Sequence, residues 1–235
     1  HALHRTGDGG HVDDAAIGIM RSAFGLQGQK CSACSRVLIE DDVYEPLVEH
    51  LVNITEKIKI GDPTRQDVYL GPVVNQSSYR DYQAFVDELK KSGKILTGGK
   101  ILTEGELAKG FFCAPTLAAD LPYEHRLWQY EMFLPITTLG KIKDLNHGMK
   151  IANSSIYGLT AGFYGSEDEA EWFFDNIEAG VNYVNRPQGA TTGAWPGYQP
   201  FGGWKASGAS GKNSGGLHYV QLYMHETIQN RVRRV

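Results

Sequence analysis

The feature that most constrains this chain is an alternation. Short β-branched or apolar runs are separated repeatedly by stretches with the 3.6-residue apolar period of a helix. Residues 12–24 read as a helix, with Asp13 and Asp14 at its positive end and Ile17, Met20 and Phe24 on one face. "RVLIE" (36–40) reads as a strand. A second helix is expected over about 42–60, with Leu47, Leu51, Ile54 and Ile58 inward, stopped by Gly61 and Pro63. Asn75 is placed to cap a third, in which Tyr79, Tyr82, Phe85 or Val86, and Leu89 recur before Gly93. "KILTGG" and "APTLAA" read as strands, 144–153 as a helix and "LTAGFYG" as a strand. "SEDE" (166–169) has the Ser-x-x-Glu form of a capping box and opens a helix through Ile177; after Gly180, "VNYVN" is the next strand. This order predicts an α/β domain with a largely parallel sheet. A long glycine-rich loop with several aromatic residues follows Asn185, then a helix near 217–224 and a last strand near 227–235. Loops of that length are commonly functional.

With 235 residues, 41% of them hydrophobic, the chain can bury a substantial core. The net charge of −4 is spread without a basic stripe, which argues against nucleic acid and anionic membrane as partners. No run approaches the roughly 20 apolar residues of a membrane helix. Three cysteines do not make a disulfide scaffold and suit a reducing cytoplasm. The opening "HALHRTGDGGH" has no initiator Met and no apolar period before Val12. His1, His4 and His11 invite a metal reading; a tail or appended segment over 1–11 is preferred, and no metal is assigned.

The stretch "GLQGQKCSACSR" (25–36) carries Cys31 and Cys34 two residues apart. A redox C-x-x-C sits at a strand-to-helix junction, whereas this pair follows a helix and precedes a strand. Zinc needs further ligands, and Cys113 stands alone in "GFFCAP". Cys34 and Cys113 therefore read as small buried hydrophobes. Cys31 follows the turn that ends a helix and has Lys30 beside it, a setting that favours a nucleophilic thiolate. On residue chemistry alone a nucleophile and a structural cysteine both stay open.

Four segments together resolve this by resemblance. "GQKCSACSR" resembles the cysteine signature of the aldehyde dehydrogenase family, "YEMFLP" (130–135) its Glu-x-Phe-x-Pro segment, "YGLTAGFYG" (157–165) its Tyr-Gly-Leu strand, and "QPFGGWKASG" (199–208) its Pro-Phe-Gly-Gly-x-Lys loop. They occur in family order. The resemblance implies Cys31 as the catalytic thiol, Glu131 as the carboxylate that holds the nicotinamide ribose, and Phe133 as the aromatic packed near it. It implies NAD or NADP as cofactor and a small-molecule aldehyde as substrate. The family's usual glycine after that Phe is here Leu134. The implied layout is a tail (1–11), a catalytic domain (12–225) and a C-terminal oligomerisation strand (226–235) that joins a second copy. The family's NAD-binding domain, its catalytic glutamate and the asparagine of its oxyanion hole match nothing in this chain. The resemblance thus implies a catalytic half, expected to be inactive alone.

Within the family, "GQKCSACSR" and the Gly-Ala pair seven residues before the Phe of Pro-Phe-Gly-Gly resemble the pyrroline-5-carboxylate branch, which oxidises L-glutamate γ-semialdehyde to L-glutamate in proline breakdown. That likeness implies Gly193, Ala194 and Ser32 around the substrate's α-carboxylate and Phe201 on its aliphatic stem. "RPQGATTGAWPG" is longer than the usual loop, and Trp195-Pro196 is bulky. A dehydrogenase for another aldehyde, a cysteine-dependent esterase and a non-catalytic assembly domain remain as alternatives.

Overall fold

The structure, a computed structural model, describes residues 2–4, 10–187 and 198–233. Its centre is a seven-stranded mixed sheet. The strands of this sheet and of a small ribbon beside it are β1 (Ala2–His4), β2 (Arg36–Glu40), β3 (Lys94–Thr97), β4 (Thr116–Ala119), β5 (Ile136–Ile142), β6 (Tyr157–Gly158), β7 (Thr160–Tyr164), β8 (Val181–Val184) and β9 (Trp204–Lys205). The sheet order is β3-β4-β5-β2-β1-β7-β8, parallel throughout except for β3, which runs antiparallel to β4 at one edge. β6 and β9 pair as the separate two-stranded ribbon.

Among the described residues five α-helices cover the two faces: α1 (Gly10–Phe24), α2 (Asp41–Glu56), α3 (Gln76–Ser92), α4 (Leu145–Asn153) and α5 (Glu167–Asn176). Strands covered on both sides must be apolar on both sides, and the two-residue period of each strand divides its side chains between two cores. Val37 and Ile39 of β2, Leu117 and Ala119 of β4 and Leu139 of β5 pack against Ala15, Ile19 and Phe24 of α1 and Leu47 and Leu51 of α2. Leu38, Ala118, Ile136 and Phe163 point the other way, onto Tyr82, Phe85 and Leu89 of α3, Met149 of α4 and Phe173 of α5.

The helix starts follow their caps. The Asn75 side chain accepts from the Ser78 N–H (2.9 Å) and that of Asp144 from His147 (2.8 Å). The Glu169 carboxylate accepts from both the N–H and the hydroxyl of Ser166 (3.0 and 2.8 Å).

The structure departs from the sequence reading at four places. Residues 2–4, read as part of a tail, lie as a strand between β2 and β7, completing the parallel hydrogen-bonding of both neighbours. β5 was not read from sequence. Helix α2 ends at Glu56 rather than near 60, because Ile60 leaves to form a bridge with Leu70. Among the described residues 217–233 there is a 3-10 turn at Val220–Tyr223 and no strand.

Tyr82 tests the lower core. It is fully buried, its hydroxyl donates to Ala114 O (2.7 Å) and it lies 2.6 Å from Thr116 Oγ1. Tyr82→Phe removes a buried hydrogen bond while Thr116 Oγ1 still donates to Ala114 O (2.9 Å) and accepts from Gly99 N–H (2.9 Å), and is expected to cost about 0.5–1.5 kcal/mol. Urea unfolding of the chain should show a lower midpoint at an unchanged slope; an unmoved midpoint contradicts the assignment.

Candidate active site

Cys31 sits at the tip of a turn whose conformation is set several residues earlier. Helix α1 ends at Phe24 and a 3-10 turn follows over Gly25–Gly28, in which Leu26, Gln27 and Gly28 all have left-handed φ (52°, 59° and 66°). Gly28 is the point of closest approach: a Cβ there would lie 2.3 Å from the carbonyl oxygen of Leu134. Both the positive φ and the missing side chain are therefore required. Gln29 fixes the next residue outward. Its Oε1 accepts from Val74 N–H (2.8 Å) and its Nε2 donates to Ser78 Oγ (3.3 Å), at the start of α3. A hydrogen bond from Ala33 N–H to Lys30 O (2.9 Å) closes the turn around Cys31, which is exposed. Behind it, Cys34 N–H donates to Ser22 O (3.0 Å), Thr137 Oγ1 donates to Cys34 O (2.9 Å) and Thr138 N–H donates to Ser35 O (3.0 Å). The motif glycine and glutamine thus have physical roles: one permits backbone contact, the other ties the turn to a helix.

The residue that Gly28 meets, Leu134, belongs to the opposite wall. Residues 130–134 run along it, with Phe133 in a left-handed conformation (φ 56°) and 44% exposed. Cys31, Lys30, Glu131, Phe133, Tyr157 and Ser207 are among the residues lining one cavity of about 330 Å³. Its lining residues Arg36, Ile136 and Thr160 begin β2, β5 and β7, so the cavity lies at the amino ends of these parallel strands. That is the opposite end from the usual ligand crevice of an open α/β sheet.

The structure therefore brings Cys31, Glu131 and Phe133 together. Ser32 is 2% exposed and does not line the cavity; the turn that presents Cys31 outward turns its neighbour inward. Phe201 is half-buried, held by a two-way backbone bridge with Ser214, and also lies off the cavity wall. Gly193 and Ala194, with Trp195 and Pro196, lie outside the described residues.

The three thiols differ in setting. Burial pushes the Cys34 thiol up, and its Sγ sits 3.5 Å from Arg36 O. Burial pushes Cys113 up to about 12. Lys30, beside Cys31, is lowered by its own partial burial; Cys31 acts in the opposite sense and Arg186 adds to the lowering. Two residues given no role by the sequence reading support the walls. Buried Arg36, lowered by desolvation to about 10, donates to Ala152 O (3.2 Å) and joins the start of β2 to α4. Lys205 donates to Asn153 O (2.6 Å) and Ser155 O (3.2 Å) and pairs with Glu178, which fastens β9, just before the turn bearing Ser207. The Lys of the Pro-Phe-Gly-Gly-x-Lys segment was the signal available for the second.

Gly28 and Gly211 give a matched comparison. Both have positive φ (66° and 68°), but a Cβ at Gly211 meets nothing within 4 Å. Gly211→Ala should cost about 1 kcal/mol, the left-handed strain alone. Gly28→Ala adds a collision with backbone and should cost about 2–4 kcal/mol. Equal costs in thermal unfolding would contradict the close approach.

Comparison with known proteins agrees with this geometry. A family model described as "Aldehyde dehydrogenase family" matches residues 7–228. The 1-pyrroline-5-carboxylate dehydrogenase of Geobacillus sp. (strain WCH70) is 42% identical over 211 residues, 89% of this chain and 39% of the relative. That of Bacillus subtilis (strain 168) is 41% identical over 214 residues, 91% of this chain and 40% of the relative. The solved structure of 1-pyrroline-5-carboxylate dehydrogenase from Thermus with bound NAD superposes with a TM-score of 0.84 at 38% identity, covering 94% of this chain and 41% of that one. The chain thus spans about two fifths of the length of these relatives. With the family's model matching residues 7–228 of the chain, and Cys31, Glu131 and Phe133 lining one cavity, the chain belongs to the aldehyde dehydrogenase family.

Proposed function

We propose that residues 12–225 are the catalytic half of an NAD(P)-dependent aldehyde dehydrogenase that oxidises L-glutamate γ-semialdehyde to L-glutamate. One observation carries this reading: the exposed thiol of Cys31 shares a cavity with Glu131 and Phe133, while Cys34, on the same cavity, is only 6% exposed and Cys113 is buried away from it. The substrate class is supported by the pyrroline-5-carboxylate names of the relatives. Exposed Glu131 beside the exposed ring of Phe133 offers a carboxylate for a diol and an aromatic face for its sugar. These residues fit the nicotinamide–ribose end of NAD(P), which supplies a hydride acceptor when bound.

The work of this chain's own residues follows from their chemistry. The Cys31 thiolate adds to the aldehyde carbon, giving a thiohemiacetal for whose oxyanion the Cys31 backbone N–H is the donor in this reading. Loss of hydride from that carbon leaves a thioester on Cys31. Sulfur is a soft nucleophile for the first step and a good leaving group when water cleaves the thioester. Glu131 and Phe133 hold the ribose, and Gly28 and Gln29 hold the thiol opposite them. The resemblance assigns the general base for the water to no residue of this chain. Ser32, Gly193 and Ala194 as the α-carboxylate site and Phe201 on the stem are part of the proposal. So is a reducing, cytoplasmic setting, which keeps Cys31 a thiol.

Assembly into a homo-oligomer through residues 226–235 is proposed as well. What supports it is the solvent exposure of apolar side chains in and just before this segment, Leu217, Val220, Tyr223, Met224, Ile228 and Val232.

Iodoacetamide at pH 8 should modify Cys31 first, leaving Cys34 and Cys113 until the chain is unfolded, as read by peptide mass; equal labelling of the three removes the distinction on which the reading stands. In the complete polypeptide that carries these residues, Cys31→Ser is expected to lower NADH formation from glutamate γ-semialdehyde by at least about a thousandfold, with Cys34→Ser close to unchanged. Turnover with other aldehydes only would remove the substrate and keep the chemistry. Esterase activity alone, with no reduced cofactor formed, would favour the hydrolase alternative.

A further inference from the structure

We propose that Arg126 is a positioning residue for Glu131, gripped by helix α3; this rests on the reading of Glu131 as the cofactor's ribose ligand. Glu131 lies exposed on a loop rather than on a strand or helix, so its place depends on what holds the preceding residues. The Arg126 carbonyl accepts from the N–H groups of Gln129 and Tyr130 (both 2.9 Å), the two residues before it. The Arg126 side chain is held at the same time. Its Nε donates to Glu88 Oε1 (2.7 Å) and its Nη2 to Glu88 Oε2, a two-pronged pair, and His125 Nε2 lies 3.5 Å from the same carboxylate. The guanidinium faces the rings of Phe85 and Tyr130 at 5.8 and 5.5 Å, and those rings are 5.6 Å apart.

An isolated surface ion pair contributes little. A fork on a carboxylate, stacked on two aromatic faces, is the geometry in which arginine does fix a neighbour and lysine does not. Phe85 and Glu88 stand three apart on α3 and so share one side of it. The amino end of the same helix receives Gln29 from the Cys31 turn, at Ser78. From Ser78 to Glu88 is ten residues, about 15 Å of helix rise. Helix α3 thereby acts as a common ruler, with Gln29 registering the thiol at one end and Arg126 registering Glu131 towards the other.

The test uses the complete polypeptide with Arg126→Met, Arg126→Lys, Glu131→Gln and the Arg126→Met/Glu131→Gln double variant. Two readouts are taken: NAD(P) dissociation constants from quenching of tryptophan fluorescence, Trp128 being on the cavity wall, and the alkylation rate of Cys31. Arg126→Met is expected to weaken NAD(P) by about tenfold, the loss of one well-aimed charge-assisted hydrogen bond, with Arg126→Lys nearly as weak and Cys31 alkylation unchanged. The double variant should bind no more weakly than Glu131→Gln alone, because both changes remove one interaction. If Glu131→Gln weakens binding and Arg126→Met does not, the positioning role is overturned while the ribose reading stands. If Arg126→Met slows alkylation as much as it weakens NAD(P), the residue merely supports the fold and the proposal fails. If Glu131→Gln leaves the dissociation constant unchanged, the ribose reading itself falls, and this proposal with it.

Discussion

The contact between Gly28 and the Leu134 carbonyl is the constraint on which the site depends. It joins two segments more than a hundred residues apart in sequence, one presenting a thiol and the other a carboxylate and an aromatic ring. Neither segment is α-helix or strand at that point, so the short turns each makes with its own backbone cannot set one segment against the other. The left-handed run over residues 26–28 turns the chain against the second segment, and the same requirement for close backbone contact meets a left-handed Phe133 on the other side. Side chains then hold each segment to helix α3 and to the starts of β2 and β5. Strain at non-glycine residues persists where surrounding structure over-determines it, and among the described residues it falls at Leu26, Gln27 and Phe133 beside this contact and at Asp120, Asn185 and Lys205 elsewhere.

Much of the frame was legible because it is local. Period-2 and period-3.6 patterning, Asn75, Asp144 and the Ser166–Glu169 box specify helices whether or not the rest of the chain is known. The strand at 136–142 was not legible for a physical reason. Its sequence "ITTLGKI" mixes threonines, a glycine and a lysine, and it becomes a central strand because Thr137 and Thr138 spend their hydroxyls on the carbonyls of Cys34 and Ser35. Residues 2–4 failed for the complementary reason: three residues carry no period, and only the gap between β2 and β7 makes them a strand. The stop of α2 at Glu56 is a long-range effect too, since apolar spacing continues through Ile58 and Ile60 while the chain is diverted toward Leu70.

The site divides in the same way. Cys31, Glu131 and Phe133 were readable from motif residues, and they meet. The orientation of Ser32 was not legible from adjacency, because successive residues of a tight turn face opposite directions and this one is buried. The contributions of Gln29, Arg36, Arg126 and Lys205 leave no periodic signature. Arg36, Arg126 and Lys205 each reach a carbonyl or carboxylate, and Gln29 a backbone N–H and a hydroxyl, supplied by a distant element, which a single sequence does not display. The location of the cavity at the amino ends of β2, β5 and β7 was likewise hidden: it follows from the strands being entered from the site's loops rather than leaving into them.

The most direct test of the central claim is chemical trapping. The complete polypeptide is mixed with glutamate γ-semialdehyde and NAD(P), quenched in acid within the first turnovers, and digested for peptide mass. The account predicts a glutamyl thioester adduct on the peptide containing Cys31, located on that residue rather than on Cys34 by fragmentation. Turnover with the adduct on another residue, or with no thiol adduct at all, would contradict it.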